Sequence, residues 1–304
     1  MNAPHPTLSR RHLMKGAAVG AGSLALAGCA VDHAFAGDVN AARVRNVPVD
    51  DPDHSRWDRT SELLVELGPQ DMALPLKLDP SVTSVRVRAL HDGERIAIRL
   101  EWEDAGVDDL TVRVDDFRDA CAVMLAPGPA VAEIRTMGTA TTPATLLHWK
   151  ADWQRDVDQG RQGLEAVYPN RSVDVYPPIW DVAPDAVDIT SYEDHGATVW
   201  LPGIHVANPS SLGERSSPVE KAIAYGFSTT TTGPTQNVDG RGVRTGTGWR
   251  VVISKPLAAS DDGEIDLKPG SRAACAFAVW SGAFHDAGSR KAPSIQVYAL
   301  AVER

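Results

Sequence analysis

The chain has 304 residues, 43% of them hydrophobic, which is enough for one sizeable core. Its 30 basic and 40 acidic residues give a net charge of −10, which argues against nucleic-acid binding and attraction to anionic lipid. Three cysteines with no C-x-x-C pair exclude a zinc or iron–sulfur cage of that kind and a C-x-x-C-H site for covalent haem.

The N-terminus reads as a targeting segment. Ser9-Arg10-Arg11-His12-Leu13-Met14-Lys15 matches the twin-arginine pattern, and the mildly apolar run GAAVGAGSLALAG follows it. That run ends at Leu26-Ala27-Gly28-Cys29, a lipobox in which Cys29 would be lipidated; an ordinary cleavage near Ala34–Gly37 is the alternative. On the first reading residues 1–28 are a signal, 29–58 a tether and 59–304 the folded domain. Removing 1–28 takes away Arg10, Arg11 and Lys15 and no acid, leaving 27 basic against 40 acidic residues and a net charge of −13. Such a surface suits solubility and docking to a basic electron-transfer partner. Beyond the signal, no stretch is long and apolar enough to span a bilayer.

In chain order, residues 62–67 and 72–78 read as early strands. Residues 84–90 and 95–102 alternate cleanly around the turn His91-Asp92-Gly93-Glu94, an antiparallel hairpin. A buried strand follows at 121–125, and another at 134–137 ending on Gly138. Residues 146–153 read equally as a strand or the start of a helix. Residues 154–195 form a long polar insertion, and short strands are expected at 198–201 and 203–206. Pro218 within Ser217-Pro218-Val219-Glu220 predicts a short helix. Residues 229–232, 249–254, 273–280 and 294–302 complete the strands. The pattern predicts an all-β antiparallel sandwich with long loops and one or two short helices.

No nucleophile elbow, H-E-x-x-H, phosphate loop or dinucleotide fingerprint is present. The carboxylates of the insertion, among them Asp181, Asp185, Asp188 and Asp194, have no spacing that selects a glycosidase pair. The histidines, including His54, His91, His148, His195, His205 and His285, are scattered. His148, inside the apolar LLHWKADW run, is either a satisfied wall residue or a ligand-contacting one. Cys121 and Cys275 sit in apolar runs and are open to pairing or to burial as thiols.

Several motifs occur together and in order: Phe117–Leu125 (FRDACAVML), Met137-Gly138, His148–Asp152 (HWKAD), Ser217–Phe227 (SPVEKAIAYGF), Gly248–Leu257 (GWRVVISKPL) and Ala276–Ser294. Over about 200 residues the chain resembles the haem b-binding gamma subunits of ethylbenzene dehydrogenase, dimethylsulfide dehydrogenase, selenate reductase and chlorate reductase. The resemblance implies a β-sandwich around one non-covalent haem b, with Met137 and Lys291 as axial ligands. Lys255 and His148 are the alternative axial residues, and Trp149, Phe227 and Trp280 belong to the expected pocket together with His148. It also implies electron relay between the iron–sulfur subunit of a periplasmic molybdenum oxidoreductase and c-type cytochromes, the chain itself not being catalytic. The competing reading is a haem-free lipoprotein module that captures carbohydrate or another apolar ligand. A lysine ligates iron only as the neutral amine, so its site must disfavour the ammonium.

Overall fold

The computed structural model describes residues 35–171, 202–206, 208–212 and 214–304. The signal, the lipobox Cys29, the strand expected at 198–201 and most of the insertion lie outside the described residues.

The hairpin leads the fold. In Ser84–His91 (β3) and Arg95–Glu103 (β4) the apolar residues recur every second position, and the strands pair antiparallel from Arg86↔Glu101 to His91↔Ile96. Gly93 takes a φ of +98° in the turn, as a tight reversal requires. Gly248–Pro256 (β10) pairs with β4 and with Asp239–Arg244 (β9), and Leu63–Glu66 (β2) pairs with β3. In the other half, Ala120–Pro127 (β5) lies between Ala144–Lys150 (β6) and Arg272–Trp280 (β11). Beyond β6 come Val219–Ala224 (β7) and Thr231–Thr232 (β8); beyond β11 comes Tyr298–Val302 (β13), with Ala292–Pro293 (β12) attached to β11.

Asp38–Arg43 (β1), inside the stretch expected to be a tether, joins the halves. It pairs in parallel with β13 on one side and β3 on the other, giving one mixed sheet in the order β8-β7-β6-β5-β11-β13-β1-β3-β4-β10-β9. The sheet folds over so that its halves face each other. Trp149 on β6 makes edge contacts with Trp102 on β4 at 6.2 Å and Trp249 on β10 at 5.0 Å. The expected all-β sandwich is therefore observed. Among the described residues, its longest helix is Ala151–Gln159.

Several expected elements differ. Residues 134–137 are not a strand: Val131–Arg135 is a short helix (α1), and Ala130, Val131 and Ile134 face Ala126 and Ala274 at helical spacing. The ambiguous run resolves into both forms, β6 and then Ala151–Gln159 (α2). The helix expected after Pro218 is β7, because Val219 packs in the core and Ile223, on the same face, is buried, while Glu220 and Ala222 lie on the other face. Pro202–His205 is a helical turn rather than a strand. Residues 72–78 form no ladder, and only the bridge Gln70↔Lys77 closes that loop. Cys121 and Cys275 are buried free thiols opposite Val279 and Leu125, not each other. Burial pushes both thiols well up from their ordinary range.

Candidate functional site

Each of the strands β5, β6, β7 and β11 has one face in the core, so every second residue emerges on the outer side of that half. The outer residues are mostly small. Ala120, Ala122 and Met124 on β5 lie beside Trp280, Ala278 and Ala276 on β11; Ala122 and Met124 also face His148 and Leu146 on β6, and Ala222 on β7 faces Leu146. The result is a bed of alanine with Met124, Leu146, His148 and Trp280 among it, and Ala120, Ala122, Ala278 and Trp280 form a buried cluster there. The inner face of the same strands carries Cys121, Val123, Leu147, Phe277 and Val279.

Met137 stands at one end of this bed. Its helix, α1, ends in a Schellman turn: Gly138 N donates to Glu133 O at 2.7 Å and Met137 N to Ile134 O at 3.1 Å. Met137 occupies the left-handed position of that turn, with φ +61°, where glycine is the usual residue. The next residue has to be glycine. A Cβ on Gly138 would lie 2.5 Å from Ala224 O and 2.7 Å from Ala144 N, the adjoining ends of β7 and β6. Gly226 N donates to Met137 O at 3.0 Å, which ties the methionine to that corner. The half-exposed Phe227 follows immediately.

Lys291 stands at the opposite end, directly before β12, with its Nζ 5.5 Å from the Trp280 ring centroid. Burial lowers its affinity for a proton, and it forms no ion pair among the described residues. Trp280 in turn stacks on His148, with centroids 4.7 Å apart and planes at 28°. His148 Nε2 is shut off from solvent and has no partner among the described residues. Burial, followed by the charges of Lys150, Arg118 and Lys291, holds that imidazole well below its ordinary range, so it is neutral.

Two expected site residues are placed elsewhere. Trp149 is fully buried on the inner face, and its Nε1 donates to Gln154 Oε1 at 3.3 Å, so it is a core residue and not a wall of the bed. A Cβ on Gly242 would lie 2.2 Å from the Trp149 ring, which explains the glycine in β9. Lys255 also points inward. Its Nζ lies 3.2 Å from Glu264 Oε1 and is fully enclosed, far from a free amine facing the bed. Lys221 Nζ donates to the other oxygen of Glu264 at 2.7 Å and lies 3.0 Å from Asp261. Met137, His148, Trp280 and Lys291 are thus brought to one surface, and Lys255 and Trp149 are not.

Residues that the sequence reading passed over brace this arrangement. Asp119 accepts from Trp249 Nε1 at 2.9 Å and from Gly282 N at 2.9 Å, linking β5 to β10 and to the segment that leads to Lys291. Lys150 pairs with Glu220, and its Nζ lies 3.7 Å from the Trp153 ring centroid, while Arg118 pairs with Asp152 at 2.7 Å. All six described tryptophans are buried, so none offers the exposed ring a sugar would stack on.

The fold is a β-sandwich with a bed of small apolar side chains on one side of a sheet half, and Met137 and Lys291 near its two ends. The chain belongs to the ethylbenzene dehydrogenase family, whose model matches residues 54–292. It is 22% identical over 213 residues to the gamma subunit of chlorate reductase from Ideonella dechloratans, covering 70% of this chain and 62% of that protein. It is 26% identical over 105 residues to a putative respiratory nitrate reductase heme subunit of Haloferax mediterranei, covering 34% and 38%. The chain thus spans less than two thirds of each relative's length. Among solved structures it is similar to a carbohydrate-binding module of family 9 from Caldicellulosiruptor kristjanssonii bound to cellotriose (TM-score 0.35, 10% identity, 88% and 93% coverage). It is also similar to a putative carbohydrate-binding protein from Bacteroides uniformis (TM-score 0.41, 10% identity, 88% and 92% coverage).

Proposed function

We propose that the chain is an electron-transfer subunit that holds one haem b, without covalent attachment, against the alanine bed between Met137 and Lys291. The observation that carries this reading is the placement, near the two ends of one apolar bed, of a methionine in a left-handed turn and a half-buried lysine that has no acid partner among the described residues. The donor set suits the group. The small side chains would leave room for the group beside the sheet, and Trp280, stacked on His148, lines the same patch. When bound, the group would supply a single-electron redox centre, and Met137 and Lys291 are the residues that would hold its iron, a protein donor set that suits electron transfer rather than oxygen activation. Met137 offers a thioether, which favours the ferrous state, and Lys291 offers an amine. His148, neutral and stacked on Trp280, lines the bed and adds no charge to it.

The names of the relatives, a chlorate reductase gamma subunit and a nitrate reductase heme subunit, support a place as a subunit of an oxidoreductase complex; a molybdenum centre, an iron–sulfur subunit and c-type cytochromes as the electron partners are what the family resemblance implies. Export by the twin-arginine route, with Cys29 as a lipid anchor on the periplasmic side, belongs to the same proposal and rests on the N-terminal motifs. Folding before transport suits a chain that must receive a non-covalent group. The ligand assignment is tested by two lysine variants of the haem-loaded chain. Lys291→Ala should open a coordination position, seen as a shift from a six-coordinate to a five-coordinate spectrum, whereas Lys255→Met should leave the spectrum unchanged. The opposite pattern would remove Lys291 from the iron, and loss of ligation on His148→Ala with both lysine variants intact would replace it with His148.

A further inference from the structure

Residues 70–79 read QDMALPLKLD, an alternation that predicts a strand with one buried face. The exposures run the other way. Met72, Leu74, Leu76 and Leu78 are 63%, 84%, 44% and 66% exposed, while Gln70 and Lys77 are buried. The polar residues form the frame of this loop. Gln70 and Lys77 exchange backbone hydrogen bonds of 2.7 and 2.8 Å. Gln70 Oε1 accepts from the backbone N of Met72 and Ala73 at 2.7 and 2.8 Å, and its Nε2 donates to Ala73 O at 2.6 Å. The loop is therefore held in a conformation that presents its apolar side chains to water, and exposed apolar clusters of this kind mark interaction sites.

The loop is also clamped to the segment that carries Lys291. Lys77 Nζ lies 2.7 Å from Asp286 Oδ1, Ser81 Oγ donates to Asp286 Oδ2 at 2.5 Å, and Ser289 Oγ donates to Pro75 O at 3.3 Å. Phe284, 56% exposed, sits beside Lys77 at 5.4 Å. Exposed acids, Glu66, Asp71 and Asp79, flank the apolar tip. A second copy docked about a two-fold axis would bring these acids against each other, and an anionic bilayer would repel them. A partner with an apolar patch ringed by lysines meets both features. A small apolar contact with a charged rim fits a transient electron-transfer complex, at the small end of interface sizes.

We infer that the 70–79 loop is the docking site for a basic, soluble c-type cytochrome. This rests on the electron-relay reading, and the step it serves passes one electron between the chain's haem and the partner's haem iron, one being oxidised as the other is reduced, with no bond or proton transferred. The test uses the full chain and the variant Met72→Ser/Leu74→Ser/Leu78→Ser, with a basic soluble c-type cytochrome as probe. Calorimetric titration at low salt should show binding that weakens with added salt and is lost in the variant. The second-order rate of cytochrome reduction by the haem-loaded chain should fall about tenfold in the variant, while its absorption spectrum and its rate with ferricyanide stay unchanged. Equal cytochrome binding and equal rates in both proteins would overturn the inference and leave the relay reading standing. A colourless chain that still binds the cytochrome through this loop would do the reverse. Concentration-dependent dimerisation, or sedimentation with phosphatidylcholine vesicles, that disappears in the variant would assign the loop to a second copy or to lipid and overturn it as well.

Discussion

Met137 occupies a backbone position that a bulky L-residue reaches only at a cost of about 1–2 kcal/mol, since its φ is +61°. Glycine would fill that position of the Schellman turn without strain. Retaining methionine there is accounted for if its sulfur is the proposed iron ligand, a case of local strain held at a functional site. Met137→Gly should leave the thermal midpoint of the haem-free chain equal or higher, because relief of strain offsets the added freedom of the unfolded chain. The same variant, loaded with haem, should lose one axial ligand. A marked drop in the haem-free midpoint would show that the methionine stays for packing instead. Met137, Lys291, His148 and Trp280 could be singled out in the sequence because each stands in a short motif, and the fold places them on one side of the sheet. The sequence could not separate His148 from Trp149, which are neighbours in one apolar run. Only the register of β6 against β5 and β7 decides which of them faces the bed. Lys255 was ambiguous for a similar reason, as its acid partner Glu264 lies on a loop nine residues further on.

At the scale of elements, the alternation of β3 and β4 was readable because each strand has one face in the core. The same period misled at residues 72–78, where the apolar residues face outward. Pro218 reads as a helix start, yet it immediately precedes β7, whose Val219 packs in the core. The loop after β10 is held by a polar network that no sequence period reveals. Glu264 accepts from Lys221 Nζ at 2.7 Å, from Ser260 N at 2.9 Å and from Ser260 Oγ at 2.9 Å. Burial alone would raise its carboxyl above the ordinary value of 4.5, but the Lys221 hydrogen bond and the Ser260 contacts bring it down to about 2. A carboxyl held below its unfolded value contributes stability that is fully present above about pH 4.5 and is lost as pH falls towards 2. Urea unfolding should therefore show stability declining over that window. Glu264→Gln should be weaker at neutral pH and decline less steeply, whereas parallel profiles for the two proteins would remove Glu264 from the acid response.

For the whole molecule, the sandwich closes through β1, a strand from a segment whose composition reads as linker. Its partners β13 and β3 are far away in sequence, so local pattern carries no trace of the pairing. The acidic balance of the chain fits the acid-flanked loop at 70–79. The proposed export makes its own prediction: Arg10→Lys with Arg11→Lys should leave precursor in the cytoplasm, and Cys29→Ala should release the exported protein from membranes. Normal export of the double variant would end the twin-arginine reading.

The central claim is that the alanine bed holds one haem b between two side-chain ligands. The most direct measurement is the absorption spectrum of the reduced, purified full chain, with haem counted per chain. One haem per chain, a Soret band with sharp α and β bands, and complete extraction of the haem by acid butanone are the predicted result. A colourless protein that takes up no stoichiometric haem when reconstituted with excess haemin would contradict the account.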